Sequence, residues 1–95
     1  MKLETMDKFD DDIRLSALFR GAIALCRETG AFLSRTNGRS KAGSGQKYVL
    51  VLPSESPEER GGFFRYSYST ALVKRIRAWS DQEAIDRFNL MPPQA

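Results

Sequence analysis

The residues in this chain that could do chemistry are cations and aromatics rather than nucleophiles or bases. Arg65, Arg75, Arg77 and Trp79 lie in the stretch Gly61–Trp79, which contains no acid and holds half of the ten aromatic residues. Guanidinium groups suit phosphate oxygens and guanine edges, and an indole can stack on an unpaired base. Lys47, Arg39 and Lys41 come from a second acid-free stretch, Arg35–Lys47, and are the natural companions of this set. The net charge is only +3, from 15 Lys and Arg against 12 Asp and Glu. The charge is segregated, however: acids gather at Asp7–Asp12, Glu55–Glu59 and Asp81–Asp86, leaving two positive segments between them. Such segregation creates a local positive field even when the total is small.

The groups that usually run an active site are missing. The chain has no histidine, which removes the commonest general base and zinc ligand. Cys26 is alone and falls in an apolar pattern, where a thiol is inert. A single cysteine also forbids an internal disulfide, and points to a reducing, cytoplasmic setting. Glu58 and Glu59 sit in a polar loop with nothing to raise their pKa. Asp10, Asp11 and Asp12 precede a helical pattern, and carboxylates there meet the positive end of the helix more readily than they form a metal site. The Gly- and Ser-rich stretch within 36–46 lacks the GxxxxGK[ST] spacing of a nucleotide-binding loop. The sequence therefore predicts a non-enzymatic protein with no catalytic residue, no metal and no cofactor.

Two readings compete for the segment that would carry the cations. From Phe63 to Ile76 polar and apolar residues alternate with a period near 2, the strand signal. A strand would place Phe64, Tyr66 and Tyr68 on an inner face packed against Leu18 and Leu25. After a turn near Ser69-Thr70, Leu72, Ile76 and Ala78 would share one face of a second strand. Val73, Arg75, Arg77 and Trp79 would share the other, with Lys74 out of place on the apolar side. From Thr70 the same residues also fit a helix. Ser80-Asp81-Gln82-Glu83 favours the strand, because it has the form of a capping box and so starts a new helix at Ser80.

The rest of the chain must position this segment. Leu15, Leu18, Ala22, Leu25 and Phe32, flanked by Phe19, Ile23 and Cys26, recur at helical steps and predict one long amphipathic helix after Asp10-Asp11-Asp12. Gly30 either caps that helix or is carried through it. Residues 36–46 read as a flexible basic loop, and Lys47–Leu52, ended by Pro53, as a buried strand. Ser54–Gly62 is the loop of a long hairpin. Asp81–Leu90 is the last helix, with Ala84, Ile85 and Phe88 facing in and Met91-Pro92-Pro93 stopping it. Residues 1–9 are expected to fray and 91–95 to form a tail.

At 95 residues the chain predicts one small domain, with no apolar run near the ~20 residues a membrane-spanning helix needs and no signal-peptide pattern at Met1–Asp7. The expected fold class is α+β: helix, three-stranded antiparallel meander, helix, with both helices on one sheet face. That order resembles the double-stranded-RNA-binding domain in topology. Where that family places phosphate-gripping lysines at the start of its last helix, this chain has Asp81, Gln82 and Glu83. The segment of three strands followed by a helix also looks like small domains that lay a sheet in the DNA major groove.

The expected function is binding of nucleic acid or a nucleoprotein through a basic and aromatic sheet face. The alternative is a protein-interaction or inhibitor protein, of the kind that phage and plasmid genes supply, since Arg, Trp, Tyr and Phe also populate protein interfaces. A plain wet sheet face kept soluble by arginines would look much the same.

Overall fold

A computed structural model of the chain describes residues 1–36, 45–53 and 68–91, with the backbone alone at 53 and 68–73. The elements run β1 (Leu3–Thr5), a 3-10 turn (Met6–Lys8), α1 (Asp11–Phe19), β2 (Ala22–Cys26), β3 (Phe32–Arg35), β4 (Gln46–Pro53), β5 (Tyr68–Ala78) and α2 (Asp81–Leu90). The five strands form one antiparallel sheet in the order β1-β2-β3-β4-β5.

The long first helix of the sequence reading stops early. Gly21, with φ of +77°, takes the left-handed conformation that only glycine adopts without penalty, and its N–H donates to the Leu18 carbonyl. The apolar run Ala22–Cys26 then continues as a strand, turns through Arg27–Gly30 and returns as β3. The turn is closed by hydrogen bonds from Cys26 N–H to the Ala31 carbonyl and from Gly30 N–H to the Cys26 carbonyl, both 2.8 Å. Five strands therefore stand where three were expected. The expected turn at Ser69-Thr70 is also absent, because β5 passes straight through it. No glycine or asparagine is there to supply the positive φ of a tight hairpin. The irregularity lies instead near the start of β5, where Pro53 pairs with Tyr68 but Val51 pairs with Val73. Residues 54–67, and with them the inner face assigned to Phe64 and Tyr66, lie outside the described residues; so does the side chain of Tyr68.

The two helices occupy opposite faces of the sheet, not one. The register puts Ala24, Leu33, Leu50 and Lys74 in one cross-strand row and Leu25, Phe32, Val51 and Val73 in the next. Adjacent rows point to opposite faces, so β2, β3 and β4 are apolar on both sides and each side needs a cover. On one face α2 buries Ala84, Ile85 and Phe88 against Ala24, Cys26, Leu33, Tyr48, Leu50 and Ala78, with Ile76 at the margin. On the other, Phe9 and Ala17, with Met6 and Ile13, cover Ala22, Leu25, Phe32 and Val51. Leu15, Leu18 and Phe19, assigned to the core by helical periodicity, point to solvent with 54, 54 and 92 % of their surface exposed.

The N-terminal residues are part of the fold. Leu3 is buried, and its backbone N–H and carbonyl are both bound by the Asn89 side chain of α2, at 2.7 and 3.2 Å. Ser80 caps α2 as the sequence predicts: its Oγ accepts from the Glu83 N–H at 3.1 Å.

Candidate nucleic-acid interface

Among the described residues, the face opposite α2 has a covered half and an uncovered half. The turn Met6–Lys8 and α1 sit over Leu25, Phe32 and Val51. Further along the same face, β4 and β5 contribute Lys47, Val49, Arg75 and Arg77. The ladder sets Lys47 opposite Arg77 and Val49 opposite Arg75. Strand alternation sends all four side chains to the same side, Arg75 and Arg77 about 7 Å apart along β5. Lys47, Arg75, Ile76 and Arg77 line an open depression of about 330 Å³.

Main-chain geometry sharpens this arrangement. The Lys47 carbonyl accepts from the Thr36 N–H at 3.0 Å, so Lys47 spends its main-chain groups on the β3 side. Lys47 and Arg77 are therefore a non-hydrogen-bonded pair, the closer of the two antiparallel spacings, with Cα atoms about 4.5 Å apart. By the same alternation the main-chain groups of Arg75 and Arg77 point away from β4, to the flank of β5 that no described strand pairs. The Arg77 carbonyl on that flank is taken by the Arg87 guanidinium of α2. Lys47 and Arg75 belong to none of the ion pairs among the described residues.

Trp79 follows β5 directly and is 68 % exposed, although its backbone is fixed. Its N–H donates to Glu83 Oε2 at 3.2 Å, completing a variant of the capping box in which the glutamate reaches the residue before the cap. Gly45, at the start of β4, has φ of +75°. A Cβ there would lie 2.8 Å from the Ala78 carbonyl oxygen and 3.6 Å from Cδ2 of Trp79. The glycine thus lets the β4 backbone lie against the end of β5 beside the indole.

Two other cations, Arg35 and Arg27, are structural. Arg35 forms a bidentate pair with Asp81, Nε to Oδ1 at 2.9 Å and Nη2 to Oδ2 at 2.7 Å, while the buried Tyr48 hydroxyl donates to Oδ1 at 2.7 Å. This clamp ties β3 and β4 to the first turn of α2. The Arg35 hydrogen bonds hold the Asp81 carboxyl below its usual pKa, and burial, reinforced by Asp81, pushes Tyr48 up to about 12. Arg27 stacks over the Phe9 ring at 4.4 Å and pairs with Glu4 at 3.0 Å, fixing the N-terminal segment.

Of the residues singled out from sequence, Lys47, Arg75 and Arg77 come together on one surface, with Trp79 at the end of the strand that carries two of them. Arg39, Lys41 and Arg65 lie outside the described residues. Sequence reasoning missed Gly45 and Glu83, which set the position of Trp79, and the Arg35–Asp81–Tyr48 clamp. Only the capping-box pattern at Ser80 carried a hint of Glu83.

Among the described residues no group of three or more metal-ligating side chains forms, and no helix is long and apolar enough to cross a membrane. No protein-family model matches the chain, and neither the curated proteins nor the solved structures give a significant match.

Proposed function

We propose that this protein is a small nucleic-acid-binding module that uses the part of its sheet that α1 and the Met6–Lys8 turn leave uncovered, with Lys47, Arg75 and Arg77 as the phosphate-binding groups. The observation that carries this reading is the juxtaposition of Lys47 and Arg77 across the β4–β5 ladder, with Arg75 next along the strand. Like charges set directly opposite one another weaken a sheet, so a fold selected for stability alone gains nothing from them. A polyanion turns that cost into binding energy. These cations stand on strands already held in a hydrogen-bonded sheet, so binding requires little reordering of the backbone.

The test is a salt titration of oligonucleotide binding by fluorescence anisotropy. The reading expects affinity to fall linearly in log K against log salt, with a slope of roughly −1.4 to −2.7 for two or three phosphate contacts, the shallower end for a single strand. No binding at low salt would overturn it.

A second reading, contact with a protein partner, draws on Leu15, Leu18 and Phe19, which form an exposed apolar cluster on the outer side of α1. An apolar interface would respond little to salt, which separates the two.

A further inference from the structure

We infer that the cationic face takes one strand of unpaired nucleic acid rather than a duplex, with a base stacked on Trp79 and the adjoining phosphates along β5; this rests on the nucleic-acid reading above. The first ground is size. Lys47 and Arg77 are a close cross-strand pair, and Arg75 lies about 7 Å further along β5. The cluster is narrower than the ~12 Å major groove of B-DNA, and its arginines lie in a single row along β5 that suits the phosphates of one strand. The step from Arg75 to Arg77 is comparable to the distance between neighbouring phosphates of an extended strand.

The second ground is the edge. Arg75 and Arg77 direct their side chains to the cationic face and their main-chain groups to the flank of β5 that no described strand pairs, two directions that meet at the rim. At Arg75 a phosphate lying along that rim can accept from both the guanidinium and the backbone N–H. Backbone amides are regular phosphate donors that carry no sequence preference.

The third ground is Trp79. A large indole left 68 % exposed gives up the burial energy that usually keeps tryptophan inside. Here its backbone is pinned by Glu83, and Gly45 lets the β4 backbone approach Ala78, the residue just before Trp79. An exposed aromatic on a fixed backbone, at the end of a cationic row, is the arrangement by which sequence-tolerant single-strand binders combine stacking with charge. A duplex keeps its bases stacked on each other and offers the indole nothing comparable.

Trp79 is the sole tryptophan of the chain, so intrinsic fluorescence reports on it alone. The experiment titrates the full chain with a labelled mixed-sequence oligomer of about ten nucleotides, within the usual site size of single-strand binders. It uses the deoxy and ribo forms, and a hairpin duplex of the same sequence, and follows anisotropy and tryptophan emission together. The expected result is that at least one single strand binds tenfold or more tighter than the duplex and quenches the emission in step with binding. Trp79→Ala should lower single-strand affinity tenfold or more and leave duplex affinity within twofold, while Trp79→Phe recovers part of the loss.

Duplex binding as tight as single-strand binding, or saturation without quenching, would overturn this inference and leave the nucleic-acid reading standing. Absence of binding by every oligomer at low salt would overturn both.

Discussion

Lys47 and Arg77 face each other across the β4–β5 ladder as a close, non-hydrogen-bonded pair, two cations where a stable sheet favours opposite charges. Lys47→Glu puts a carboxylate opposite Arg77. It should leave stability unchanged or raise it by up to ~1 kcal/mol, the range for an exposed cross-strand ion pair. The same substitution should weaken oligonucleotide binding at least tenfold. Urea unfolding and anisotropy on one preparation check both; a loss of stability together with unchanged binding would show that Lys47 has a structural role.

Gly45 is held at φ of +75° with no room for a Cβ between it and Ala78. Gly45→Ala should destabilise the protein by about 1–3 kcal/mol, through left-handed strain and the clash with the Ala78 carbonyl. The emission of Trp79 should shift as well, since the indole rests beside that backbone. Equilibrium unfolding followed by tryptophan fluorescence reads both effects.

Tyr48 is 2 % exposed and titrates near 12 when folded, against about 10 when unfolded. Its folded pKa is the higher one, so the phenol's contribution to stability is complete below pH ~10 and is lost as pH rises through about 12. Tyr48→Phe should therefore be less stable than the parent at pH 7, by about 1 kcal/mol for the lost bond to Asp81, yet less sensitive to pH between 10 and 12. Asp81 works in the opposite direction. Its folded pKa is lowered, so its contribution is present above the ordinary carboxylate range and fades as pH falls through the lowered value. Parallel melts of parent and variant across pH test the alkaline limb.

Cys26 is 1 % exposed in the centre of the α2-side core. A thiol reagent should label it only on unfolding, and Cys26→Ala should leave oligonucleotide binding within twofold. Rapid labelling of the native protein would mean that β2 is not buried between its neighbours.

The cationic row could be read from sequence because strand alternation is local: once Arg75 and Arg77 sit two apart in a strand, they share a face whatever the rest of the chain does. The pairing of Lys47 with Arg77 depends on register between distant segments, which no local pattern encodes. The first half of the chain misleads for a different reason. Leu15, Leu18, Ala22, Leu25 and Phe32 satisfy a helical period, and Ala22, Leu25 and Phe32 are indeed buried, but as parts of two strands. Short apolar runs do not distinguish helix from strand. The available signal was Gly21 and Gly30 bracketing Ala22–Cys26, a glycine-bounded apolar run of strand length. The expectation that both helices share one face followed from the same misreading, because β2 and β3 make the sheet wide and apolar on both sides.

The central claim is that β5 binds phosphates through Arg75 and Arg77, and the most direct measurement is the salt dependence of binding by the Arg75→Ala/Arg77→Ala double variant beside the parent. The two side chains lie toward the surface of a sheet that other residues hold together, so the variant should unfold within about 1 kcal/mol of the parent. With the fold intact, its affinity at low salt should fall at least tenfold and its log K against log salt slope should flatten by roughly 1.4 units on a single strand. A parent and a variant with the same slope and the same affinity would contradict the account.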